Sequence, residues 1–408
     1  MRVLLMSYGS RGDVEPLAAL AVALRELGVE ARVCAPPDEE YAELLGGVGI
    51  EHVPFGPSVR ALVTGAAPAD AFQLAPALVA AHFETVLPAA EGCDALVATG
   101  LMPAGARSVT EKLGIHYVIA SFHIMGLPSP HYGPSARPGK SAPAGVTDRK
   151  ALWDLDAERV NALYGEALNT RRAAIGLPPV DNVRDHVFGG RVWLAADPVL
   201  APWKDMTFLE LVQTGAWLLP DERPLPEELS AFLDAGEPPV YVGFGSMAMR
   251  GAPDLARVAV EAVRARGRRV IVGRGWAELG LIDDGDDCFA VGEVNHRALF
   301  RRVAAVVHHG GAGTTATAAR AGAPQVVVPQ IADQPKWAAR VAELGIGAAH
   351  DGPTPTVESL STALGTALSA ETRDRARTVA GTIRPDGATV AAKLLVEEIS
   401  GDRRPVSV

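Results

Sequence analysis

Near the start of the chain, Val3-Leu4-Leu5-Met6-Ser7 runs into Gly9-Ser10-Arg11-Gly12-Asp13, and Leu17, Leu20, Ala21, Leu24 and Leu27 follow at helical spacing up to Gly28. A short unbroken apolar run closed by glycine suits a strand buried on both faces, as in a parallel sheet. Pro16 falls in the first turn of the helix, where its missing N–H does no harm, and Gly28 is a stop signal. Beyond Gly28 the pattern repeats: Val29–Ala35 reads as a strand, Glu39–Leu45 as a helix and Ile50–Pro54 as a strand. Further strands are expected near Ala95–Thr99 and Tyr117–Ala120. Such alternation requires a parallel sheet with helices on both faces.

The alternation restarts at Pro239, with strands expected at Val240–Gly243, Val270–Val272, Phe289–Val291, Ala304–Val307 and Gln325–Val328. Helices are expected near Leu255–Arg264, and two more, Thr356–Leu368 and Ala388–Ile399, end this half. Between the halves, Ala151–Ile175 reads as one long helix, and Asp197–Pro226, rich in Pro and Trp, reads as the connection. The length of 408 residues agrees, because single cores rarely grow beyond about 250–300 residues. Two α/β, doubly wound domains are therefore expected. Ligands of open α/β sheets bind beyond the carboxyl ends of the strands. The expectation is a pair of Rossmann-like domains facing across one deep cleft, with glycine loops from both halves lining it.

Composition narrows the function. Apolar residues make up 48% and charged residues 21%, values of an ordinary globular chain. Lys and Arg number 38 against 48 Asp and Glu, a net charge of −10, which argues against nucleic acid or an anionic membrane as partner. Cys34, Cys93 and Cys288 form no CxxC pair, so neither a zinc ribbon nor a disulfide framework is expected. No signal-type segment precedes Gly9, and no run of 18 apolar residues occurs. A cytoplasmic monomer without integral membrane contact is expected.

Three loops and one short pair of residues can carry chemistry. In Gly9-Ser10-Arg11-Gly12-Asp13, the carboxylate is either a helix N-cap or a general base at a strand end. In His308-His309-Gly310-Gly311-Ala312-Gly313-Thr314-Thr315, glycines, hydroxyls and imidazoles converge on a helix start, whose free N–H groups suit a phosphate. It is not a P-loop, because GxxxxGK[ST] is absent. Gly243-Phe244-Gly245-Ser246-Met247-Ala248 matches GxGxxA, yet the next strand ends Gly273-Arg274-Gly275-Trp276 with no acid for a ribose, which removes the main support for an NAD enzyme. Trp276 can stack on a base or simply pack. Asp333-Gln334 offers acceptors and a donor for sugar hydroxyls, or else an Asx-type helix start. Asp283-Asp284-Gly285-Asp286-Asp287 lacks the EF-hand Glu and reads as a solvated turn. No metal is expected.

At these positions the chain resembles a GT-B glycosyltransferase of the inverting, family 1 type, nearest those that decorate vancomycin- and teicoplanin-class glycopeptide antibiotics. The segments that carry the resemblance span the chain. They are Gly9–Asp13, Thr110-Glu111-Lys112-Leu113-Gly114, Ile175–Val180, Ala195–Pro202, Gln213–Trp217, Leu219–Leu225, Gly243–Ser246, Gly292–His296, His308–Thr315, Pro329–Gln334 and Arg340–Gly347. The resemblance implies an acceptor domain over 1–200, a linker over 201–226, a nucleotide-sugar domain over 227–380, and a C-terminal helix within 381–408 that crosses back.

It also implies roles. Asp13 is the base, with Ser10, Arg11 and Gly12 close to the donor phosphates. His309, Gly311, Gly313 and Thr314 hold the diphosphate, and Ser246 approaches from the third loop. Trp276 and the Glu293-Val294 backbone bracket the nucleotide base. Asp333, counted with Asp13 as catalytic, and Gln334 contact the sugar. Plant relatives hold the ribose with a Glu near Thr317; this chain has none, which leaves UDP- and dTDP-sugars both open as cosubstrate. Retention of the glycine pair and of Ala332-Asp333-Gln334 favours a UDP-hexose, glucose or N-acetylglucosamine, with no other cofactor. Apart from the resemblance, a bulky, partly apolar aglycone calls for a wide site lined by loops; Phe122, His123, Met125 and the loop 126–145 are candidate acceptor contacts, with an ordinary core or loop role as the alternative for each. The competing readings are a GT-B sugar-nucleotide 2-epimerase, a glycosyltransferase for another natural product such as a macrolide, and a hybrid of two such enzymes joined near the linker.

Overall fold

The computed structural model describes residues 1–65, 70–134, 145–203, 209–247, 249, 254–280, 283 and 285–402. The chain forms two compact units. The first comprises Met1–Ala196, Pro202–Leu219 and the segment from Pro385, and the second Asp197–Ala201 with Pro220–Arg384.

The first unit holds a seven-stranded sheet made of β1 (Arg2–Tyr8), β2 (Glu30–Ala35), β3 (Glu51–Pro54), β4 (Ala95–Gly100), β5 (His116–Ser121), β6 (Arg191–Leu194) and β7 (Glu210–Gln213). Its order is β3-β2-β1-β4-β5-β6-β7, and the pairs are parallel. The central strands are the unbroken apolar runs: Val3, Leu4, Leu5, Leu96 and Val97 are fully buried. The long helix is Arg149–Ala174, started by Asp148, whose side chain accepts the Ala151 N–H. Glu210–Gln213 corrects the expectation of a plain connection over 201–226, because that stretch supplies the edge strand paired with β6. Its alternation is too short to declare itself: one exposed and three half-buried residues. The helix Gly387–Asp402 closes this unit, burying Ala391, Ala392, Leu395 and Ile399 in the core shared with the helix Arg11–Glu26. The close crossing at Gly215 explains one motif glycine. A Cβ on Gly215, whose φ is +94°, would lie 3.2 Å from the Gly387 Cα.

The second unit holds β8 (Val240–Gly243), β9 (Val270–Gly273), β10 (Cys288–Val291), β11 (Ala305–His308), β12 (Gln325–Val327) and β13 (Gly347–Ala349), in the order β10-β9-β8-β11-β12-β13 and again parallel. β13 was not expected, being three small residues. The two closing helices of the expectation become three with Ala370–Ala380, a mostly polar segment whose start is capped by Ser369 accepting the Thr372 N–H. In each sheet the strand order reverses at one place, between β1 and β4 and between β8 and β11. Ligands of doubly wound sheets gather at such switch points. Among the described residues, no helix is long and apolar enough to cross a membrane.

Buried imidazoles, His82 and His308 the most enclosed of them, should make stability depend on pH. Burial pushes His82 down to about 4 against the opposing hydrogen bond to the Leu78 carbonyl, and pushes His308 down to about 3. Below the ordinary histidine value of 6.5, the unfolded chain takes up protons that these native rings refuse, so stability falls with pH. Each tenfold weakening of proton affinity is worth about 1.4 kcal/mol, so the loss runs to a few kcal/mol. Urea midpoints measured between pH 7 and 4 should decline steadily over that window. A flat profile would show that the rings are accessible.

Candidate functional site

At the β1/β4 switch point the chain leaves β1 through Gly9 and enters the helix Arg11–Glu26, with Ser10 in extended conformation as its N-cap. Asp13 is therefore the third helical residue and not the cap, which corrects the first of its two sequence readings. Its Oδ2 accepts the Ser10 N–H at 2.8 Å, the return half of a capping box, and lies 3.4 Å from the Ser10 hydroxyl. A Cβ on Gly9 would sit 2.2 Å from that same oxygen, so the half-buried carboxylate rests directly over the Gly9 Cα. Tyr41, fully buried, donates from Oη to the Gly9 carbonyl at 3.3 Å and holds the loop from below. Arg11 pairs with Glu15 at 2.7 Å, and Gly12 is exposed.

Leu101, at the end of β4, stands beside this loop. Gly100 turns the chain at φ +82°, and the Leu101 N–H donates to the Tyr8 carbonyl at 2.9 Å. Leu101 remains 44% exposed, an apolar side chain just after β4 that no motif had marked. The expected acceptor residues separate. Phe122 is a correction: its ring is 8% exposed and packs edge-on to Trp217 in the core, 5.9 Å between centroids. His123 and Met125 are half-buried in the short turn after β5. Of the loop 126–145, residues 135–144 lie outside the described residues.

In the second unit, the β8/β11 switch point carries its own group of candidate residues. The helix Ala312–Ala321 starts at Gly311, which has no side chain to cap it. The first intrahelical bond is Thr315 N–H to the Gly311 carbonyl, so the amides of Ala312, Gly313 and Thr314 are the orphan donors of a helix start. The two histidines divide their work. His308 is buried within the strand, bonded from Nε2 to Gln325 Oε1 at 2.9 Å and accepting the Gly310 N–H on Nδ1 at 3.1 Å. Those two bonds fix its tautomer and leave no lone pair for a metal. His309 points the other way and packs between glycines. Cβ atoms at Gly245 and Gly311 would lie 3.4 Å and 2.6 Å from its ring. Burial pushes its pKa down to about 4, opposed by the Asp333 carboxylate. Its Nδ1 is buried without a hydrogen-bond partner, at the start of a helix with three free amides.

Neighbouring loops join this site. The Trp276 N–H donates to the Gly245 carbonyl at 2.8 Å. A Cβ on Gly275 would meet that oxygen at 2.4 Å, so the loops carrying Ser246 and Trp276 lie back to back. Asn295 ties Glu293-Val294 down by donating to the carbonyls of Asp221 and Arg223, and Arg223 pairs with Glu293 at 3.2 Å. Asp333 stands at the N-cap of the helix Gln334–Glu343 but makes no cap bond. Its Oδ2 instead accepts Trp337 Nε1 at 2.5 Å, an orienting partner that its i,i+4 spacing would have revealed. Ala332 holds a left-handed φ of +55° just before it, and Ile331 is 58% exposed. Such backbone strain in non-glycine residues collects at functional loops.

The acidic turn stays a turn. Among the described residues, Asp283, Asp287 and Cys288 form the one group at metal-binding spacing. The Arg264 guanidinium fills it, with bonds of 2.6–2.8 Å to both carboxylates. It holds Asp283 down to about 2 and Asp287 below the usual carboxylate range.

Residues 283–395 match the family described as erythromycin biosynthesis protein CIII-like, C-terminal domain. Over its whole length the chain is 57% identical to the vancomycin aglycone glucosyltransferase of Amycolatopsis orientalis, covering 100% of both sequences. It is 51% identical to the dTDP-epi-vancosaminyltransferase of the same organism, again with 100% of each covered. Among solved structures, it is similar to the glycosyltransferase VinC in complex with dTDP, at a TM-score of 0.70 and 22% identity over 98% of this chain and 100% of that one.

Proposed function

The chain belongs to the GT-B glycosyltransferases of vancomycin-type glycopeptide assembly, and from that premise we propose that it moves a hexose from a UDP-sugar, glucose or N-acetylglucosamine, to a hydroxyl of a glycopeptide aglycone with inversion. The observation that carries the reading is the uncapped helix start at Gly311 beside the unpartnered His309 Nδ1. Fixed donors of this kind meet negative charge as it develops and cost no reorganisation. In the proposed step, the acceptor oxygen attacks C1 of the sugar as Asp13 takes its proton. The C1–O bond to the diphosphate breaks, and its charge falls on the amides of Ala312, Gly313 and Thr314 and on His309. An α-linked donor yields a β-linked product. Asp333, oriented by Trp337, faces the sugar hydroxyls; residues 1–200 and 227–380 serve acceptor and donor respectively.

The test is mass spectrometry of products from a panel of UDP- and dTDP-sugars against vancomycin and teicoplanin aglycones, with and without chelator. Transfer from UDP-glucose or UDP-N-acetylglucosamine that survives chelation is expected. Isomerised sugar from UDP-hexose alone would favour the epimerase, and a strict need for Mg²⁺ would overturn the helix-start scheme.

A further inference from the structure

Two histidines stand side by side after β11, and the proposed chemistry uses only His309. His308 is wholly buried, and so is Gln325, its neighbour on β12. Both ring nitrogens of His308 are engaged. Nδ1 accepts the Gly310 N–H at 3.1 Å, and Nε2 meets the Gln325 Oε1 at 2.9 Å. Gln325 reaches further: its Nε2 donates to the Thr315 carbonyl at 3.4 Å, in the first turn of the helix Ala312–Ala321. One His–Gln pair thus grips the chain on both sides of the orphan amides of Ala312, Gly313 and Thr314.

A side-chain acceptor on residue i for the N–H of residue i+2 is the bond that Asn and Asp make in an Asx-turn. A neutral histidine makes it only with a lone pair on Nδ1, hence with its proton on Nε2, where the Gln325 oxygen accepts it. Burial keeps the ring from charging, with a pKa pushed down to about 3. Gly310 is itself buried at a φ of +93°, and a Cβ there would lie 2.7 Å from Val327 Cγ1. Its N–H has little room to turn to another partner. We propose that His308 is a positioning residue whose Nδ1 fixes the Gly310 peptide and so aims His309 and the helix-start amides at the donor diphosphate. The proposal rests on the nucleotide-sugar reading above.

Two substitutions divide the work of the ring. Asn puts an acceptor where Nδ1 stands and loses the reach to Gln325; Gln keeps a donor toward Gln325 and leaves the Gly310 N–H bare. Each variant loses one buried bond, so a merely structural role predicts the same fall in UDP affinity for both. Calorimetry should instead show His308→Asn binding UDP within about threefold of the parent and His308→Gln at least about tenfold more weakly. Nitrogen NMR of the parent should find the His308 proton on Nε2. Equal affinities in the two variants, tighter binding by Gln, or a proton on Nδ1 overturns the proposal. If His308→Gln does not fold by circular dichroism, Asn decides alone, and a loss of more than about threefold overturns it. An Asn variant that does not fold overturns it as well, since the Gln325 bond would then be the one the ring serves. A parent chain that binds neither UDP nor dTDP overturns the functional reading and this proposal together, whereas a parent that binds, with variants that do not differ, overturns the positioning role alone.

Discussion

Asp13→Asn should all but stop sugar transfer while leaving UDP binding within about twofold of the parent, a kcat loss on the order of 10²–10⁴, the range of a removed general base. The substitution is unusually clean here. An Asn carbonyl can still accept the Ser10 N–H that Oδ2 accepts at 2.8 Å, so the start of the helix Arg11–Glu26 survives. The amide also fits where the carboxylate now rests over Gly9, a position that tolerates no Cβ beneath it. What disappears is the capacity to take a proton. Single-turnover kinetics with a glycopeptide aglycone, beside UDP calorimetry, provide the measurement. Ordinary turnover would remove Asp13 from the chemistry and leave it a capping residue.

His309→Ala should lower kcat/KM by about 10²–10³, the effect of removing one fixed donor from a site of developing charge. Unlike the loss of Asp13, this one should weaken UDP binding as well. Burial pushes the pKa of the ring down to about 4 in the free protein, so on the proposed reading a neutral imidazole offers the phosphate a hydrogen bond. UDP affinity of the parent should accordingly show no inflection near pH 6.5, the ordinary histidine value. An inflection there that vanishes in the alanine variant would mean that His309 binds as imidazolium.

The parts of this molecule that could be read directly are those whose physics is local. Val3–Met6 and Val240–Val242 are uninterrupted apolar runs, and the structure buries all of them. The glycines after β11 announce a helix start without a side-chain cap, because their lack of Cβ is itself the geometric requirement. β7 and β13 stayed hidden, being strands of four and three residues whose burial depends on neighbours far along the chain. Phe122 misled for a related reason: a ring just beyond a strand end can turn outward or inward, and Trp217 turns this one inward. His308 and His309 look equivalent in sequence, yet strand alternation sends one into the core and the other to the carboxyl edge. Gln334 was legible as a polar residue at a loop, but its partner Met247 belongs to another loop. The Asp13 alternatives needed the helix boundary itself, which begins two residues earlier than the aspartate.

The helix Gly387–Asp402 packs into the core built by residues from the very beginning of the chain. A ribosome therefore delivers residues 1–386 before that helix can cover its share of the first unit's core. The second unit, drawn chiefly from Pro220–Arg384, has all of that stretch in hand sooner. The flank that this helix covers is thus the part of the first unit that waits longest for its cover.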